Sequence, residues 1–260
     1  MKALFPPSLA ALMLVTPLAS ASLGAQSDED PGLQLIREVD ARARGYGDFE
    51  SRLVMRIRNG DSERVREMVV RGIESGDGER TRIILERPTD LAGTEFLSAS
   101  GSEGERAQWI YLPAARRVRR IAGSQSDDAF LGSHFTYDDM TPPEVGGFEY
   151  RWVRDQDEDG RSVALVERAR RSEGADGSKQ LLRIDRERAI LLGVTFFDPD
   201  GQRVRELELA DYLDVGGFWR STRMTMTDVT DGSHTSLEWS DVRIGVGLRR
   251  SDFESSRLGR

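Results

Sequence analysis

A chain of 260 residues with a net charge of −8 and a pI near 5.1 lacks the electropositive footprint of a general nucleic-acid binder. The absence of cysteine excludes a disulfide framework and a lipid anchor on an N-terminal cysteine, so the fold must stand on packing and sheet hydrogen bonds. The basic side is almost all arginine, with Lys2 and Lys179 the two lysines.

Lys2, an apolar run from Leu9 to Val15, Pro17 and the small residues Ala19-Ser20-Ala21 form an export signal. Residues 1–25 are expected to be removed by cleavage after Ala21 or Ala25. The apolar run is much shorter than the about twenty residues a membrane span needs. Residues 26–30 read as an acidic linker, and residues 31–260 as a single domain.

Asp30 and Pro31 supply an N-cap and a first-turn proline. Leu33, Ile36, Val39 and Ala43 follow at helical spacing before Gly45, which predicts one amphipathic helix. The period then changes to two. Leu53, Met55 and Ile57 alternate with Arg52, Val54, Arg56 and Arg58, Asn59-Gly60-Asp61 turns the chain, and strands follow over 65–73 and 80–86 up to Pro88. A further strand covers Trp109 to Leu112. From Ser124 to Gly147 no period lasts, and a segment that long without one reads as a functional or covering loop with one or two helical turns.

The alternation resumes over 148–153, 162–168, 180–184, 190–197, 204–212, 219–228 and 236–244, punctuated by Asp/Gly turns. Ten or eleven evenly spaced strands and few helices predict a mainly β (α+β) protein. Its core element is a large curled antiparallel sheet or incomplete barrel, packed under the N-terminal helix and the long loop.

Candidate chemistry is sparse. Asp155-x-Asp157-x-Asp159-Gly160 matches the first half of a calcium loop, but the twelfth position is Val166 and the flanks read as strands, so a hairpin turn is expected and no metal. His134 lies near Asp138 and Asp139, yet no nucleophile elbow or zinc-binding helix motif accompanies it. No catalytic residue and no cofactor are expected.

Arg116, Arg117, Arg119 and Arg120 are docking or lid charges suited to an acidic partner or a lipid headgroup, because guanidinium groups grip phosphate and carboxylate bidentately. The plainer alternative is a solvated strand edge, or intramolecular pairs with Asp127, Asp128, Asp138 and Asp139. A concave sheet face can enclose an acyl chain. Leu53, Met55, Ile57, Met68, Val70, Phe96, Leu97, Met224 and Met226 are candidate lining residues, or else ordinary core. Trp109, Tyr111, Phe130, Phe135 and Tyr137 either join them as a lid or pack the loop onto the sheet.

Three strings carry a resemblance: Gly93-Thr-x-Phe-Leu97, the Trp109-x-Tyr-Leu-Pro strand followed by the arginines to Arg120, and Phe130-x-Gly-Ser-x-Phe-x-Tyr-x-Asp139. In order and spacing they resemble the outer-membrane lipoprotein-sorting family of LolA-like periplasmic proteins. The family tends to place an acidic residue where this chain has His134. The resemblance implies an unclosed β-barrel with a helical lid. It also implies a soluble periplasmic, non-catalytic protein that carries lipoprotein acyl chains or another lipid toward the outer membrane. Alternatives are an accessory periplasmic subunit of an envelope hydrophobe or lipid exporter, meeting a transporter or outer-membrane acceptor, and a purely structural protein-docking module.

Overall fold

The computed structural model describes residues 29–76, 78–101, 106–141, 144–171 and 177–260. The expected export signal, most of the linker and the Pro142-Pro143 pair lie outside the described residues.

The helix α1 (Pro31–Ala43) starts where the capping pattern predicts. The Asp30 carboxylate accepts a hydrogen bond from the Gly32 amide at 2.7 Å and a second, from the Trp152 amide, at 2.9 Å. One side chain therefore caps the helix and ties its start to a strand far along the chain. Gly32 is needed there, since a Cβ would come within 2.8 Å of the Trp152 backbone nitrogen.

Six strands follow: β1 (Asp48–Asn59), β2 (Ser62–Ser75), β3 (Gly78–Arg87), β4 (Glu95–Ser100), β5 (Arg106–Leu112) and β6 (Arg117–Ile121). After a crossover through residues 122–147 come β7 (Phe148–Glu158), β8 (Arg161–Arg170), β9 (Lys179–Asp185), β10 (Ile190–Phe197), β11 (Arg203–Val215), β12 (Phe218–Asp228) and β13 (His234–Ile244). All belong to one 13-stranded antiparallel sheet, ordered β6-β5-β4-β3-β2-β1-β13-β12-β11-β10-β9-β8-β7. The first meander walks from β1 outward to β6. The crossover then carries the chain to the opposite edge, and the second meander returns until β13 pairs with β1. β6 and β7 remain edges, so the barrel is unclosed.

Two strands exceed the sequence expectation, and each has a physical reason. β4 does not alternate because Glu95 to Ala99 is buried on both faces. β6 reads as a charge cluster because it is an edge strand, exposed from Arg117 to Arg120, where arginines deter pairing with another chain. Hairpins close where glycine permits left-handed backbone: Asp159-Gly160 between β7 and β8 has φ of 54° and 79°, and Gly216-Gly217 between β11 and β12 has 63° and 92°. The Asp155–Gly160 run is thus a tight hairpin turn, with the Asp157 carboxylate accepting from the Gly160 amide at 3.0 Å.

The main core fills the concave side, where α1 crosses from β7 toward β12. The convex side carries a smaller cluster. There the C-terminal segment, through short 3-10 turns at Arg250–Phe253 and Ser255–Arg257, presses Phe253 and Leu258 onto Leu97, Trp109 and Tyr111.

Candidate functional site: an apolar cavity under the end of the helix

The crossover plugs one end of the barrel. Phe130, fully buried, meets Phe96 edge-on at 5.3 Å and Tyr137 at 5.5 Å, and Phe135 is buried beside them. Polar ties fix this plug from several strands. Gln108 of β5 donates to the Tyr137 carbonyl at 2.8 Å and to the Thr141 hydroxyl at 2.9 Å. Asp138 takes Arg106 of β5 at 2.6 Å and also Arg170 of β8, and Asp139 takes Arg205 of β11 at 2.9 Å. Arg66 of β2 donates to the Leu131 carbonyl.

The opposite end is open. A cavity of about 790 Å³ lies between the last turn of α1, the β9–β10 turn, the β11–β12 hairpin and the adjoining ends of β1 and β13. Its apolar wall includes Val39, Phe49, Leu191, Met224 and Trp239, all of which pack against the main core. Phe49 reaches this place by lying across its cross-strand partner Gly72, where a Cβ would fall 2.1 Å from the ring. Its size is in the range of sites for small organic ligands.

Aromatic rings frame the mouth. Tyr46 stacks edge-on with Phe49 at 5.5 Å and with Phe218 at 6.4 Å. Burial pushes the Tyr46 phenol well above its ordinary pKa, with Glu79 and Glu74 adding to the shift, so it stays protonated. Trp219, 38% exposed, stands on the rim. Beside the helix, at the mouth, Gly45 and Gly47 adopt φ of 94° and 77°, and both amides donate to the Glu74 carboxylate, at 2.9 and 3.3 Å.

Four arginines and one carboxylate, Glu187, line this rim. Arg42 pairs with Glu38 at 2.6 Å and Arg44 with Asp40 at 2.9 Å. The Arg188 guanidinium lies 4.8 Å from the Trp219 ring centre. Arg220 lies 5.0 Å from the Tyr46 ring and 5.6 Å from the Phe218 ring, and donates to the Ala43 carbonyl at 2.9 Å, capping α1.

The residues singled out in the sequence distribute over three places. Leu53, Met55, Ile57, Met68, Val70, Phe96 and Met226 sit in the concave core, none more than 5% exposed, while Met224 borders the cavity. Leu97, Trp109 and Tyr111 face the convex side under the C-terminal segment, so the two aromatics do not help pack the loop. Arg117, Arg119 and Arg120 are exposed on β6, and Arg116 precedes them with φ of 45°. Asp138 and Asp139 turn away from these arginines, because Arg106, Arg170 and Arg205 hold them, which corrects the pairing considered from the sequence.

His134 also differs from expectation. Its ring contacts the hydroxyls of Thr235 and Ser233, each at 2.8 Å, rather than Asp138 or Asp139. Burial lowers its pKa. The cavity-framing aromatics Tyr46, Phe49, Phe218, Trp219 and Trp239 were missed. Two weak signals mark them: Tyr46 lies between glycines, and Phe218-Trp219 follows a glycine pair.

The sheet defines a class: an unclosed, mainly antiparallel barrel with a LolA-like fold. Three solved structures share it. A domain classed as outer membrane lipoprotein-sorting, from Vibrio parahaemolyticus, aligns with a TM-score of 0.84 and 32% identity over 88% of this chain and 98% of that one. A DUF1329 family protein from Desulfovibrio piger gives 0.82 and 28% over 88% and 100%. A LolA superfamily protein from Nitrosomonas europaea gives 0.70 and 16% over 87% and 99%, a likeness of fold alone. A family model described as "-like: Uncharacterized protein" matches residues 77–260, and no curated protein matches. The chain belongs to the same family as that outer membrane lipoprotein-sorting domain.

Proposed function

We propose that this protein is a periplasmic, non-catalytic carrier that shelters a lipoprotein acyl chain or another lipid and helps deliver it to the outer membrane. The observation that carries the proposal is the apolar cavity of about 790 Å³ at the helix end of the barrel. Each buried methylene contributes about 0.8 kcal/mol, so such a space can hold a chain that water rejects. Release needs only a state that binds the chain less well. The glycines at 45 and 47 are the proposed hinge by which α1 opens. The core residues Leu53, Met55, Ile57, Met68, Val70, Phe96 and Met226 back the cavity as solid packing behind its wall, and the Phe130–Asp139 plug closes the far end.

A second reading, an accessory subunit docking on an envelope transporter or outer-membrane acceptor, rests on β6. Arg116, Arg117, Arg119 and Arg120 have no carboxylate partner among the described residues and present cationic forks along an open edge. A hydrolase reading fits less well. Although Ser233 touches His134, the other ring nitrogen faces Thr235 in place of a carboxylate, and the cavity lies at the opposite end of the barrel. Ester turnover abolished by His134→Ala would restore it.

The carrier reading is tested by filling the cavity. Met224→Trp should weaken binding of a fluorescent fatty-acid probe at least about ten-fold, a change of about 1.4 kcal/mol, while circular dichroism shows the sheet intact. Unchanged probe binding in the folded variant would remove the cavity from the account.

A further inference from the structure

The rim of the cavity is cationic, and its two kinds of arginine differ in what they are free to do. Arg42 and Arg44 are satisfied by Glu38 and Asp40 on the helix itself. Arg188 and Arg220 have no carboxylate partner among the described residues and are held by aromatic faces instead: Trp219 for Arg188, Tyr46 and Phe218 for Arg220. A guanidinium stacked on a ring keeps its in-plane N–H groups directed outward, while the ring restrains it and displaces water from its face. Arg220 uses part of its fork on the Ala43 carbonyl, which offsets the negative end of α1 next to the opening. The opposing charges are Glu187 on the rim and Glu74 and Glu79 behind Tyr46, of which Glu74 is engaged by the Gly45 and Gly47 amides.

Resting on the carrier reading above, we propose that this rim selects an anionic amphiphile: the tail enters the cavity and a carboxylate or phosphate head is gripped by Arg188 and Arg220. Both arginines line the cavity that would hold the tail, in a protein whose overall charge is −8. A charge-assisted, bidentate contact is about twice as strong as a neutral hydrogen bond, and the half-apolar mouth limits competition from water. The cargo class narrows to lipids that carry their own anion near the chain, fatty acids or phosphate-headed lipids, in preference to neutral acyl esters.

The experiment uses the full mature protein loaded with an uncharged naphthylamine probe. It is titrated with palmitate, palmitoyl lysophosphatidate, palmitoyl lysophosphatidylcholine and methyl palmitate below their aggregation thresholds, at low and high salt. Palmitate, lysophosphatidate or both should displace the probe at concentrations at least about ten-fold lower than methyl palmitate and lysophosphatidylcholine, with the advantage shrinking at high salt. Comparing the first two tells carboxylate from phosphate. In Arg188→Gln/Arg220→Gln the advantage should vanish while methyl palmitate still displaces the probe. Arg188→Gln alone, which leaves the helix cap untouched, should lose part of it, and Arg220→Lys should keep part.

Equal displacement by all four lipids in the wild type, or an advantage that survives the double substitution, overturns the head-group proposal and leaves the carrier reading standing. Failure of the probe and of every lipid to bind would sink the carrier reading and this proposal with it. Should the double variant unfold, Arg188→Gln and the wild-type salt dependence decide the matter on their own.

Discussion

Asp138 joins two strands that the sheet does not pair with each other. Its carboxylate takes Arg106 from β5, next to one edge, and Arg170 from β8, next to the other. Side chains here are about one-fifth exposed for Asp138 and one-quarter for Arg106, so solvent screens the pair only partly. Arg106 Nε is already buried without a hydrogen-bond partner among the described residues. Replacing Asp138 by Asn should cost about 1–3 kcal/mol in urea unfolding through guanidinium groups left short of an acceptor; a loss below about 0.5 kcal/mol would show that the clamp is ornamental.

His134 gives a pH signature of opposite origin. Burial holds its pKa below the ordinary 6.5, so the native state favours the neutral ring while the unfolded chain takes up a proton first as pH falls. Its contribution is fully present above pH about 6.5 and diminishes as pH falls from there toward the lower native value. Unfolding measured across that window should show a smaller pH slope in His134→Gln than in the wild type, and equal slopes would contradict the assignment. Residue roles of this kind were hard to read from the sequence. Arg116 to Arg120 and the aspartates at 138 and 139 lie close along the chain, but the crossover turns the carboxylates toward β5, β8 and β11, which no local spacing encodes.

Among the elements, the crossover packs into the main core through Phe130. Phe130 has no exposed surface and touches aromatic residues from β4 and from its own loop. Phe130→Ala should destabilise by about 3–5 kcal/mol, since truncating a buried ring removes its transfer energy and leaves a cavity. A cost under about 1 kcal/mol would mean that the plug is dispensable. The helix and most strands were legible because their signals are local: Asp30-Pro31 at the cap, alternating burial along β1, glycine-bearing hairpins. β4 and the C-terminal segment were not, because they bury each other across the length of the chain, the 3-10 turns after Leu248 covering the convex face of β3 to β5; β6 was not, because an exposed edge strand of arginines carries no apolar alternation. Arg82 makes this docking visible, bonding Glu95 at 2.6 Å and the Asp252 carbonyl at 3.0 Å.

On the scale of the whole molecule, one sheet with two free edges is sealed at one end by its own crossover and left open at the other beneath the end of a helix. That asymmetry follows from the topology, since the chain must cross the concave side once to pass from β6 to β7. The curled sheet was foreseeable from strand number and spacing. The cavity was not, because its wall combines the ends of β1, β10, β11, β12 and β13, which are close only after folding. Of the lining residues expected from the apolar alternation, Met224 alone borders it, since alternation identifies the concave face without saying which part of it is filled.

The proposed carrier role requires that this cavity hold lipid in the cell. Native mass spectrometry on the mature protein, purified from a periplasm without detergent and followed by solvent extraction, tests it most directly. The account predicts a near-stoichiometric mass increment that extracts as an acyl lipid and is absent from Met224→Trp. A wild-type protein that is empty as isolated, and stays empty after incubation with fatty acids and phospholipids, would contradict it.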